Sequence, residues 1–219
     1  MKNNYRKRKL DSNDGDEPAT KKLKSLNWTS LKVVIDACAA LSPTHVRTLT
    51  GLHLDGILQM TLEGLEQRNL VSWLVSCIDP DTMIINISDE KKLAITPRTV
   101  HNVLGIPIGE EKISYPDYTA AKQAYQSLCE ELNVDVKSNI TYERLVNEIK
   151  QRPDDAEAVR FFIMILINKL LIPTTSLHII GMNAYLAIDL SGISKVDWSR
   201  LVLELLRNNI HAWQQSAKV

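Results

Sequence analysis

The stretch FFIMILINKLLI, residues 161–172, decides the fold of this chain. Its first seven side chains are all large and apolar, and only Asn168 and Lys169 interrupt the run. A membrane-spanning helix needs about 20 consecutive apolar residues, so this run is too short to cross a bilayer. The run instead predicts a buried central helix over residues 154–171 that Pro173 ends.

The composition is that of an ordinary globular chain. Of its 219 residues, 44% are hydrophobic and 24% are charged, which is enough apolar material for one buried core. Glycine and proline number only eight each, so collagen-like and low-complexity architectures are excluded. The cysteines Cys38, Cys77 and Cys129 are scattered and odd in number, which indicates buried thiols in a reducing compartment. No apolar segment follows the charged N-terminus, so no secretory signal is expected.

Outside the central run the pattern is mainly helical. Apolar residues recur at helical spacing, which predicts helices over residues 30–41, 43–50, 62–78, 97–104, 117–132, 141–151, 182–190 and from 198 onward. Residues 51–58 are expected to form a turn or a short extended piece. A β-branched run at 82–87 is expected to pair with 93–95. The sequence thus predicts a mainly α fold, a helical single domain over residues 27–219 with one small β-hairpin.

Several of these helices are predicted to turn named apolar side chains toward the core. On the fourth predicted helix, Val100 and Val103 are expected to face inward. The last helix is expected to be capped by Asp197 and to bury a stripe that includes Leu206. The tryptophans are expected to be core anchors rather than stacking platforms for nucleic acid; they are Trp28, Trp73, Trp198 and Trp213.

The N-terminal tail, residues 1–26, is polar and is expected to be disordered. Its first 24 residues hold eight bases and four acids, whereas the remaining residues hold 18 bases and 22 acids. Two basic clusters flank an eleven-residue spacer; they are Arg6, Lys7, Arg8 and Lys9, then Lys21, Lys22 and Lys24. A flexible spacer lets both clusters reach the acidic grooves of a nuclear import receptor, so the tail predicts a bipartite import signal and a nuclear location. The alternative is a solvated basic tail.

No motif for catalysis, cofactor binding or metal binding is found. The histidines are far apart and none has zinc-ligand spacing; they are His45, His53, His101, His178 and His211. No glycine-rich phosphate loop is present, and nothing marks Lys169 or Lys195 as a Schiff-base lysine. Asp36 and Asp189 lie in apolar surroundings, but a cap or a salt bridge explains each. The sequence therefore predicts no catalytic, cofactor-binding or metal-binding residue.

Short motifs follow one another in a defined order from residue 49 onward. They are LTGLHLDGIL (49–58), VSWL (71–74), IDP (78–80), ITP (95–97), VHNVLGIPIG (100–109), LLIPTT (170–175) and VDW (196–198). Together they resemble the plant mobile domain family, also labelled aminotransferase-like, which includes plant transposon-derived proteins. The resemblance covers residues 30–215 and implies a mostly helical nuclear domain linked to transposon silencing or genome maintenance. It carries over no catalytic residue, and no motif here supports the aminotransferase label.

These observations favour a non-enzymatic nuclear protein-interaction module of transposon origin. Its partner is an unknown nuclear protein, and the resemblance adds a protein-phosphatase-like protein as a candidate. The runner-up is a DNA- or chromatin-associated protein that binds weakly through the basic tail and a local basic face. An enzyme with an unrecognised helical active site is the third alternative. No cofactor and no membrane are expected.

The import hypothesis makes a direct prediction. Replacing Lys21, Lys22 and Lys24 with Ala removes the second basic cluster, so a fluorescent fusion too large to diffuse through nuclear pores should lose its nuclear accumulation. Fluorescence microscopy of the fusion measures this, and unchanged accumulation would contradict the import signal.

Overall fold

The computed structural model describes residues 28–60 and 68–217. Within these residues the protein is mainly α-helical with one small antiparallel sheet, which confirms the predicted fold class. The tail 1–26, predicted to be disordered, and its import signal lie outside the described residues.

The elements are mostly short helices, of which Tyr118–Glu131 and Trp198–Ala217 are the longest over the described residues. The α-helices are α1 Trp28–Cys38, α2 Pro43–Gly51, α3 Arg68–Cys77, α4 Pro97–Leu104, α5 Tyr118–Glu131, α6 Tyr142–Gln151, α7 Val159–Leu166, α8 Gly181–Leu186, α9 Leu190–Ile193 and α10 Trp198–Ala217. Two 3₁₀ turns span Asp55–Gln59 and Ala156–Ala158, and a π-helical turn spans Ile167–Leu171.

Capping side chains set several helix ends where the sequence predicts them. The Ser42 hydroxyl accepts a hydrogen bond from the backbone N–H of His45 at 3.2 Å, at the start of α2. The Asp197 carboxylate accepts one from the N–H of Arg200 at 2.9 Å, at the start of α10. Gly105 ends α4 with a φ of 63°, the left-handed conformation that glycine adopts without strain. Each cap satisfies groups that the helix itself leaves unpaired.

The central helix is the core of the domain. Every residue from Phe161 to Lys169 is buried, as expected for a helix that is apolar on all sides. Helices α1, α6 and α8 all pack against α7. The predicted helix over 154–171 is continuous in space but changes type, because it starts as the 3₁₀ turn, continues as α7 and ends in the π-helical turn.

The predicted hairpin is present and gains one more strand. Strand β2 (Ile84–Asn86) pairs with β3 (Lys92–Ala94), and β1 (Ile78–Asp79) pairs with the other edge of β2. Strand β1 begins directly after α3, so the chain leaves the helix one residue earlier than the sequence predicts. The result is a three-stranded sheet in the order β1-β2-β3.

The piece predicted at 51–58 is a turn, because a turn at residues 52–53 leads into the 3₁₀ turn Asp55–Gln59. Its Gly56 lies directly against Gly105. A Cβ atom added to Gly56 would lie 2.5 Å from the Cα of Gly105, closer than real Cβ atoms come to a neighbour. Two motifs that are about 50 residues apart therefore meet backbone to backbone. Similar close contacts join Gly109 to Lys195.

Two helices expose side chains that the sequence assigns to the core. On α4, Val100 is buried as predicted but Val103 is 69% exposed. On α3, Trp73 is 46% exposed and Leu70 41% exposed, so Trp73 is not the core anchor that the pattern predicts. Helical spacing identifies an apolar stripe, but it does not show whether another element covers the stripe.

The buried face of α10 is also rotated from the predicted one. Leu206 is exposed, whereas Leu203 and Ile210 are buried two turns apart. Trp198 at the start of this helix is buried as predicted, and its indole N–H donates to the carbonyl of Ile193 at 2.8 Å. Because α10 is rich in leucine, more than one stripe fits the helical period, and the packing of α4 against it selects one.

The contact between the two glycines predicts a large effect of one methyl group. Gly56→Ala should lower the free energy of unfolding by about 1–3 kcal/mol, because the new Cβ overlaps backbone atoms that cannot rotate away. Gly51→Ala is the matched control: nothing lies within 4 Å of its added Cβ, so the change should be neutral or stabilising. Urea denaturation followed by circular dichroism measures both, and equal effects would contradict the close contact.

Candidate functional site

A buried polar cluster lies where α6, the π-helical turn and α8 meet. It consists of Tyr142, Asn168, Lys169 and Asn183, all of them buried. The segment that follows the π-helical turn, residues 173–179, runs over the cluster and is called the strap below. Tyr142 is the first residue of α6, so the cap of that helix fixes its position.

The phenol of Tyr142 is the centre of the cluster. Its oxygen lies 2.9 Å from Oδ1 of Asn168 and 3.0 and 3.3 Å from the carbonyl oxygens of Ser176 and His178. Burial first, and the charge of Glu143 second, raise the pKa of this phenol to about 12. The hydroxyl is therefore a hydrogen-bond donor at neutral pH, and it ties two helices to the strap.

Two asparagines extend the cluster toward α8. The side-chain amide of Asn168 donates to Oδ1 of Asn183 at 2.7 Å, and the same oxygen accepts the backbone N–H of Ile180 at 3.1 Å. Asn183 thereby caps the start of α8 from within that helix. Its own Nδ2 atom is buried and has no hydrogen-bond partner within the described chain.

Lys169 is a buried cation that no carboxylate neutralises within the described residues. It is 8% exposed. Its ammonium donates to the carbonyl of Ser176 at 3.1 Å and lies 4.3 Å from the ring centre of Tyr142. Desolvation lowers its pKa, because burial disfavours the charged form. The carbonyl dipole and the face of the ring supply the stabilisation that a carboxylate gives elsewhere.

The strap is held by further bonds along its length. The N–H of Thr174 donates to the carbonyl of Asn168 at 3.3 Å, and the hydroxyls of Thr174 and Ser176 accept the N–H groups two residues ahead of them. The N–H of Ile179 donates to the carbonyl of Ile140 at 3.0 Å. The polar cluster thus fixes the conformation of the strap, and most polar atoms of the cluster take part in hydrogen bonds that do so.

The charged residues of α5, α6 and α7 form a separate network. Glu148 is buried and pairs with Arg144 and Arg152, each at 2.8 Å. Glu131 pairs with Arg152 at 2.8 Å and also with Arg160. These three arginines are engaged with two carboxylates, so their charge is largely compensated inside the protein.

Two of the cysteines, Cys38 and Cys129, and the buried His45 have structural surroundings. Cys38 lines an apolar pocket of about 310 Å³ between α1 and the 3₁₀ turn Asp55–Gln59, and burial raises the pKa of its thiol to about 11. Burial also raises the pKa of Cys129. A thiol with a raised pKa is a poor nucleophile at neutral pH. His45 is fully buried: its Nδ1 accepts from the N–H of Ser42, and its Nε2 lies 3.0 Å from the carbonyl of Arg152.

The two carboxylates that the sequence places in apolar surroundings have the simple roles predicted for them. Asp36 pairs with Lys32 at 3.1 Å on the surface of α1. Asp189 caps α9, and hydrogen bonds from the Ser191 hydroxyl and the Gly192 N–H lower its pKa. The residues of the import signal lie outside the described residues, so the structure places none of them.

Sequence reasoning missed the polar cluster. Asn168 and Lys169 are conspicuous as the only polar residues in the central apolar run, and that interruption is the signal that could have located the site. The partners Tyr142 and Asn183 carry no comparable signal, because each lies in a sequence that reads as an ordinary helix.

Over residues 28–60 and 68–217, no group of three or more His, Cys, Asp or Glu side chains is arranged to hold a metal ion. In the same ranges, no helix combines the length and the apolar character that a membrane span needs.

The fold and the site define a mainly α-helical single domain organised around a buried helix and a pinned loop. A family model described as a domain of unknown function, DUF8566, matches residues 27–219, so the chain belongs to that family. No curated protein and no solved structure matches the chain.

The phenol of Tyr142 makes a testable contribution to stability. Tyr142→Phe should lower the free energy of unfolding by about 0.5–1.5 kcal/mol, because it removes a buried hydrogen bond to Asn168, while the carbonyls of Ser176 and His178 keep Lys169 and the Ser176 hydroxyl as donors. Tyr118→Phe is the matched control, since Tyr118 is 82% exposed at the start of α5. Urea denaturation at pH 7 measures both variants, and equal losses would contradict the central role of Tyr142.

The same variant predicts a pH dependence. The pKa of Tyr142 is raised to about 12 in the folded protein, so its stabilising contribution is complete below its unfolded-state pKa of about 10 and is lost as the pH rises toward 12. The difference in unfolding free energy between the wild type and Tyr142→Phe should therefore shrink over this window. A constant difference would show that Tyr142 ionises normally in the folded state.

Proposed function

We propose that this protein is a nuclear, non-enzymatic protein-interaction module of transposon origin. Helix α3 carries the proposal. None of its residues from 70 to 77 is buried, although most of them are apolar, and Trp73 and Leu70 are each more than two-fifths exposed. Large exposed apolar side chains on one element mark a surface that another molecule covers.

The spacing along α3 suits a partner with an apolar groove. Leu70, Trp73, Leu74 and Cys77 are related as i, i+3, i+4 and i+7, so they lie along one face of the helix. This is the anchor spacing by which an amphipathic helix lies in a groove of its partner. Tryptophan is among the residues that contribute most to such interfaces, so we assign Trp73 the central role.

The nuclear location and the partner class rest on the sequence. The bipartite arrangement of basic clusters between Arg6 and Lys24 supports import into the nucleus. The resemblance to plant mobile domains supports a role in transposon silencing or genome maintenance, and it makes a protein-phosphatase-like protein a candidate partner. The DUF8566 family carries no function to add to these arguments.

A DNA- or chromatin-associated role is the second proposal, and the structure favours it less. It requires a local basic face beside the tail. Three arginines that share one network, Arg144, Arg152 and Arg160, are paired with Glu131 and Glu148 and so present little free charge. The basic tail is what supports this proposal.

Capture from plant nuclear extract tests the proposed function. The tagged full chain is used as bait with and without nuclease, and bound proteins are identified by mass spectrometry. We expect a stoichiometric protein partner that survives nuclease and that Trp73→Ala weakens at least tenfold, which corresponds to about 1.4 kcal/mol. Tyr118→Ala is the control, because Tyr118 is also a large exposed aromatic but lies on α5.

Two results would overturn the proposal. Partners that vanish on nuclease treatment and leave no protein behind would make nucleic acid the ligand. A nuclease-resistant partner that is equally weakened by Trp73→Ala and Tyr118→Ala would contradict the role of α3. Unchanged circular dichroism spectra of both variants establish that any loss of binding is not caused by unfolding.

A further inference from the structure

The strap has an outer side as well as a side that faces the buried cluster. Exposure alternates along it: Pro173, Thr175 and Leu177 are exposed, whereas the residue that follows each of them is partly covered. Leu177 is 68% exposed, although Ser176 and His178 on either side of it are held by hydrogen bonds.

Hydrogen bonds from two buried side chains fix the inner side of the strap, and burying one of them, the Lys169 ammonium, costs free energy. The carbonyl of Ser176 receives hydrogen bonds from both Lys169 and Tyr142, and Tyr142 also reaches the carbonyl of His178. Burying the lysine ammonium without a carboxylate is unfavourable, and an apolar side chain of similar length would avoid that penalty. The bonds from Lys169 and Tyr142 are explained if their role is to hold the strap in one conformation.

The main chain of the strap is bonded differently on its two sides. Within the described part of the chain, the N–H and C=O groups of Thr175 and Leu177 form no hydrogen bond, whereas those of Ser176 and His178 are bonded. An exposed leucine therefore lies beside free backbone donors and acceptors on a rigid support. Such a preformed loop loses little conformational entropy on binding, which favours affinity.

We propose that the strap is a second protein-binding surface. Its partner supplies an apolar pocket for the Leu177 side chain, together with main-chain groups that pair with the free N–H and C=O groups of Thr175 and Leu177. The exposed strap residues carry no cation, so a nucleic acid backbone does not fit this surface. This inference rests on the proposed interaction-module function, but it concerns a surface separate from α3.

Site-specific photo-crosslinking tests the proposal. A benzophenone amino acid is placed at position 177 of the full chain and, as a control, at position 103, because Leu177 and Val103 are exposed to nearly the same extent on different elements. Both proteins are irradiated in plant nuclear extract. The protein crosslinked at position 177 is then identified, expressed, and used as the probe for affinity measurements.

The affinity of that purified protein decides the question. We expect Leu177→Ala to weaken binding at least tenfold and Leu177→Asp more, while Val103→Asp stays within twofold of the wild type. Lys169→Met should weaken binding several-fold without touching the partner, and it should speed hydrogen exchange of the bonded amides of Thr174, Ser176 and His178. That exchange change distinguishes a role in positioning the strap from a general loss of stability.

Other outcomes overturn the strap proposal without removing the proposed function. No crosslink at position 177, a crosslink only to a second copy of the chain, or an affinity unaffected by Leu177→Asp would each exclude the strap as a partner-binding surface. If a Trp73-dependent partner is still captured in those cases, the interaction module stands on α3 alone. If nothing is captured through either surface, both proposals fall.

Discussion

The burial of α7 on all sides is the constraint on which the rest of the structure depends. A helix with no solvent-facing stripe must be covered all round, so α1, α6 and α8 are arranged to enclose it. The same burial continues into the π-helical turn, where the sequence places Asn168 and Lys169. These two side chains are buried and need partners inside the protein. The position of Tyr142 on α6 and of Asn183 on α8 follows from that need.

Several of the short motifs between residues 49 and 198 meet at points of close backbone packing. Gly56, from the first motif, lies against Gly105 of the long central motif, and Gly109 lies against Lys195 just before the last. Ser199 then donates to the carbonyl of Pro107 at 3.1 Å, which closes the same junction. Residue identities at such points are dictated by lack of space. The residues of these motifs are therefore explained by packing within the domain, and they do not indicate what the domain binds.

Most of the fold could be predicted from the sequence because its signals are local. Proline at the first turn and hydroxyl caps predict α2 and α4, and the apolar run predicts the central helix. The exposure of Val103 and Trp73 could not be predicted, because it depends on whether another element packs against that face of α4 or α3. Strand β1 was also missed, since two residues after a helix carry no strand pattern of their own.

The candidate site was harder to predict than the fold for a different reason. Its polar groups come from residues 142, 168, 169 and 183, and they converge only after three helices pack. The interruption of the apolar run by Asn168 and Lys169 indicates that something polar is buried there, but not what it contacts. The strap itself reads as a proline-started loop, and nothing in PTTSLHI shows that both tyrosine and lysine hold it from beneath.

The two surfaces differ in how they would recognise a partner, and the difference follows from their construction. Helix α3 is an apolar face on a regular element, so its shape comes from the helix itself and needs no support from buried polar groups. The strap is irregular and would sample many conformations without the cluster beneath it. A buried lysine that lacks a carboxylate reduces stability, and replacing it with a hydrophobic residue would be tolerated if stability were all that mattered. The cluster lowers the stability of the fold and holds one loop. This is explained if the strap has to keep a single conformation in which Leu177 faces outward.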